Sequence, residues 1–231
     1  MAAGNNYYLI TSLASLESLT STPPMSNSAF LEQISDRRGA EELVRTLLLA
    51  DDLMQRQALL AGEIEHTNPT ILTAEQVSDE EPLPEYLTAP VESVPRRIAG
   101  DGLWAAYFRH AIAVARDRKC GFLEDWIGFE VAMRNALADA RAKALELDPN
   151  EYLVEPDLGA SINFASTLGE WSAATDPLTG LKVLDRARWD WIARNDRSYS
   201  FEDDEIAAYA AKLMLLHRWH GLAQAAEKRQ D

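Results

Sequence analysis

The stretch "LDRARWDWI", Leu184–Ile192, sets two tryptophans among two arginines and two aspartates, and its reading decides the fold. On a wheel of about 100° per residue, the segment from Leu181 to Asn195 gathers Leu181, Leu184, Trp189, Trp191 and Ile192 in one arc. Asp185 and Arg188 fall inside that arc; Arg186, Asp190 and Arg194 fall outside it and read as solvated i,i+4 neighbours. The stretch is therefore expected to be a helix that carries charge on its packing face.

The same pattern recurs on either side. In the last segment, about Asp203 to Ala226, one side collects Ile206, Tyr209, Leu213, Leu215, Leu216 and Trp219, with Lys212 near its middle. From Leu123 to about Leu147, the arc of Trp126, Phe129, Met133, Leu137 and Ala144 also holds Glu130, Arg134 and Arg141. A lone buried charge costs several kcal/mol, a large share of a stability of about 5–15 kcal/mol, so such charges must be paired or solvated. Glu130, Arg134, Asp185, Arg188 and Lys212 contain both signs. They form the expected structural charge network, with Glu130 and Arg134 in the favourable i,i+4 order. The competing readings are long side chains that snorkel from a wide helix face and a catalytic carboxylate set, for which no nucleophile, base or metal ligand converges.

Further upstream, Trp104, Tyr107, Phe108, Ala111, Ile112 and Ala115 mark another helix. Asp157–Trp171 is a weaker candidate, followed by the turn "TDPLTG". "AEELVRTLLLADDLMQRQALLA", Ala40–Ala61, is a long helix or a helix pair, and "AFLEQI" can be capped by Ser26, Asn27 or Ser28. Near the start, Leu9, Leu13 and Leu16 stand at helical spacing although "YYLI" has strand-like composition. Residues 67–102 change character, with Pro69, Pro82, Pro84, Pro90 and Pro95 and the acidic "SDEE", so only a turn or two at "TAEQVS" is expected to be helical there. The chain is thus expected to be all-α: a helical segment 1–66, a Pro-rich acidic linker or loop 67–102, and a helical bundle 103–231, the two helical parts packing separately or as one domain.

Composition narrows the chemistry. The 231 residues carry a formal net charge of −15, which repels phosphate backbones and argues against nucleic acid. The single cysteine, Cys120, cannot close an internal disulfide. Cations in "DRK" beside it would favour a reactive thiolate, whereas a place near a helix end favours an inert one. His217 and His220 are i,i+3 but lack further ligands in a metal-binding spacing, and His220 projects towards the apolar side with His217 flanking it. The acidic groups Asp51–Asp52, Asp79–Glu81 and Glu202–Glu205 read as loops and helix starts, the last suited to a helix dipole. No secretory leader and no run of about 18 apolar residues is seen, so a cytoplasmic protein without membrane insertion, cofactor or metal is expected.

"NNYYLITSLASL", "WIGFEVAMRNALADARA" and "LDRARWDWI…FEDDEIAAYAAKLMLLHRW" together resemble an uncharacterised bacterial family encoded with V/A-type ATPase subunits. That family is itself distantly similar to the C-type socket (d in eukaryotes), which joins the rotary shaft to the membrane ring. The resemblance rests most on Asp185, Arg188, Trp189, Tyr209, Lys212, Leu213, Arg218 and Trp219, and more loosely on Tyr7, Tyr8, Leu13, Glu130, Arg134 and Asn135. It implies a helical fold related to that socket and a non-catalytic component or accessory protein of a rotary ATPase. Other V/A-type ATPase subunits would be its partners, and it would lie peripheral to the inner membrane through the complex. From the residues alone, a small acidic metal-dependent hydrolase using Asp/Glu clusters, or a free-standing regulatory adaptor, stand as alternatives.

Overall fold

The computed structural model describes residues 6–88, 97–98 and 100–227, with side chains described up to residue 224. Those residues form an all-α bundle without strands. The helices are α1 (Tyr7–Ser12), α2 (Asn27–Gln33), α3 (Arg38–Leu60), α4 (Ala74–Val77), α5 (Gly100–Arg118), α6 (Gly121–Ala144), α7 (Ala165–Ser172), α8 (Pro177–Asn195) and α9 (Asp203–Glu227). Short 3-10 helices lie at Glu85–Leu87, Pro149–Tyr152 and Pro156–Leu158.

α9 is the axis of the bundle, packed against α2, α3, α6 and α8. From Ile206 to Leu216 nearly every residue is buried, as expected of a helix that is apolar on all sides. Four alanines, Ala207, Ala208, Ala210 and Ala211, are among them; their small side chains let neighbouring helices approach closely. α3, from the first helical segment, packs on both α9 and α5, and the apolar core runs from Leu9 through to Leu215.

Several helix ends differ from their sequence expectation for local reasons. α1 stops at Ser12, and Leu13 is extended. The hydroxyls of Thr11 and Ser12 donate back to the carbonyls of Tyr7 and Leu9, competition that shortens helices in Ser/Thr-rich sequence. α3 is one continuous helix rather than a pair. Ser26 is the cap of α2, accepting from the Ala29 N–H. "TDPLTG" is not a free turn: Asp176 accepts from the Thr179 N–H, Pro177 occupies the first helical position, and α8 begins there. Of Asp157–Trp171 only the end is α-helical. The part before it is a strap pinned to α6, with the Asn135 amide bonded both ways to the Val154 backbone and the Ala160 N–H donating to the Gly128 carbonyl.

Within the Pro-rich stretch, residues 70–79 are held by one face of α3 and the turn Glu85–Leu87 packs on α5; Pro90 and Pro95 lie outside the described residues. The fully buried Asp52 carboxylate accepts three successive backbone N–H groups, from Thr70, Ile71 and Leu72, at 2.6–2.8 Å. One turn on, Arg56 donates to the Gln76 and Val77 carbonyls and pairs with Asp79. α4 adds a capping box between Thr73 and Gln76. Burial pushes the Asp52 carboxyl upward despite the three amides that oppose it. Asp52→Ala should destabilise the fold by about 3 kcal/mol, because it strands backbone donors away from water. Urea denaturation checks this, with Asp52→Asn, which keeps one acceptor, expected to lose less.

Candidate functional site

The charges of α6 and α8 converge where the two helices meet α9. Asp185 is 0% exposed. Its carboxylate accepts from Arg188 Nη1 at 2.9 Å, from Arg218 Nη1 at 3.0 Å and from the Trp219 indole N–H at 3.0 Å. Arg188 turns its other edge to Glu130 in a two-pronged pair, at 2.7 and 2.9 Å. Arg218 continues to Asp51 at 3.6 Å and to the Met54 sulfur at 3.7 Å, both on α3. Four helices, α3, α6, α8 and α9, are thereby joined through one buried carboxylate and two guanidinium groups. Burial pulls the Arg188 pKa down, but Glu130 and Asp185 outweigh it and the net direction is upward.

Of the five charges grouped on sequence, the structure brings Glu130, Arg188 and Asp185 together. Arg134 and Lys212 go elsewhere. Arg134 pairs with the buried Asp101 at 2.7 Å and stacks over Trp104, not with Glu130, whose two oxygens already face Arg188. Lys212 reaches Asp196 at the end of α8, at 2.8 Å, and lies over the Trp189 ring. Arg141, expected in the α6 arc, is exposed and covers Trp171. Arg186, Asp190 and Arg194 are exposed, as their place on the wheel implies. Arg218 sits on the flank of α9, outside its apolar arc, and nothing in the sequence pattern shows that it shares the Asp185 carboxylate with Trp219.

A second set of carboxylates fastens the start of α9. Asp203 accepts from Asn6 at 2.8 Å, and Asp204 takes the Phe122 N–H at the first turn of α6. Glu205 takes the N–H groups of Tyr199 and Phe201. A helix-dipole role was legible in "FEDDEI"; these three tertiary roles were not, since most of the partners are backbone groups with no sequence signature. Nearby, Tyr7 packs on Phe201 at 5.0 Å, while Tyr8 is 81% exposed. Tyr209 packs on Phe30. Its hydroxyl is buried without a hydrogen-bond partner among the described residues, and burial raises its pKa.

The remaining suspects resolve simply. Cys120 is the N-cap of α6, its sulfur accepting from the Leu123 N–H at 3.4 Å. Burial pushes the thiol up to about 12, so the neighbouring cations do not activate it. His217, not His220, is the half-buried histidine and bonds to the Met25 carbonyl; His220 is exposed beside Gln224. Among the described residues no group of three His, Cys, Asp or Glu side chains is placed to hold a metal ion, and no helix is long and apolar enough to cross a membrane.

Compared with protein-family models, with curated proteins and with solved structures, the chain finds no match in any of the three.

Asp185→Ala leaves two guanidinium groups and an indole donor without their shared acceptor, and should cost about 3 kcal/mol or prevent folding; a melting curve equal to wild type would show that the carboxylate carries no stability. Cys120 in the folded chain should react with a soluble thiol reagent at pH 8 at least about a hundredfold more slowly than in the urea-unfolded chain.

Proposed function

We propose that the chain is a non-catalytic component or accessory protein of a bacterial V/A-type rotary ATPase, a helical connector of the C/d socket type that acts in the cytoplasm and meets the inner membrane through its partner subunits. One observation carries the reading: most of the residues on which the family resemblance chiefly rests join α8 to α9. Asp185, Arg188, Arg218 and Trp219 form one contact set, and Lys212, Trp189 and Asp196 form its neighbour. A residue pattern of this kind preserves a shape. Every oxygen of Asp185 and Glu130 is taken by a guanidinium or indole donor of the same chain, which favours a scaffold over a hydrolase built on these carboxylates. The acidic surface favours protein partners with basic faces and disfavours nucleic acid.

The test is to purify the native rotary complex through a tag on one of its catalytic subunits and quantify this chain by mass spectrometry. Co-migration at a fixed ratio to those subunits is expected. A complete, ATP-hydrolysing complex that lacks the chain would overturn the proposal.

A further inference from the structure

We draw no further inference here: the strongest candidate, the apolar groove between α1, the segment 13–16 and α9, has its charged lining already engaged within the chain, Asp196 with Lys212 and Glu205 with the backbone of the loop before α9, and nothing in the structure shows what covers it.

Discussion

The Asp185 carboxylate is the constraint on which the arrangement of the later helices depends. A fully buried carboxylate is tolerated only when its lone pairs are met, and here three donors meet them, one from α8 and two from α9. The two guanidinium groups so anchored are not themselves free to move: Arg188 is fixed to α6 by Glu130, and Arg218 to α3 by Asp51 and Met54. Rotation of α8 or α9 by a fraction of a turn would leave charge buried and unpaired. Apolar packing alone is indifferent to such a rotation, since α9 is apolar almost all round. The ion set therefore fixes the rotation of helices whose association is driven by apolar burial, as hydrophobic contact is strong but non-directional.

Helix existence was legible wherever the apolar period was long. α3, α5, α6, α8 and α9 stand where the spacing of leucines, tryptophans and alanines placed them. Their ends were less legible, because ends are set by single side-chain bonds. Asp176 starts α8 earlier than its apolar residues do, and the hydroxyls of Thr11 and Ser12 end α1 before Leu13 despite the leucine spacing. In both cases short polar side chains outweigh the apolar period.

The charge network was half legible for a related reason. A helical wheel identifies which charges face inward, and Asp185 and Arg188 do so. It contains no information about which inward charge of another helix lies opposite. Glu130 and Arg134 look like natural i,i+4 partners on a wheel, yet each finds a better one across an interface: a two-pronged guanidinium for Glu130 and the buried Asp101 for Arg134. A buried partner outcompetes a neighbouring one along the helix, since an exposed i,i+4 pair is worth only about 0.3–0.5 kcal/mol.

The division of labour along α9 then explains why a motif rich in charge and aromatics need not be a reactive site. Its middle and later turns, with Lys212, Arg218 and Trp219, turn polar atoms inward and commit their hydrogen bonds to the fold. Its first turn uses carboxylates in the same way: Asp203 ties it to Asn6, Asp204 to the start of α6, and Glu205 to the loop before it. Reactivity needs a group whose bonding capacity is left for a substrate, and these groups are already engaged. Among the described residues, the buried polar side-chain atoms left without a partner are Asn27 Oδ1, Arg37 Nε, Arg109 Nη2 and the Tyr209 hydroxyl. The stretch from Leu184 to Ile192 and its partners on α9 thus hold the frame, and the loop before α9, left-handed at Tyr199 with φ 68°, is fastened to that frame by Glu205 in spite of its backbone strain.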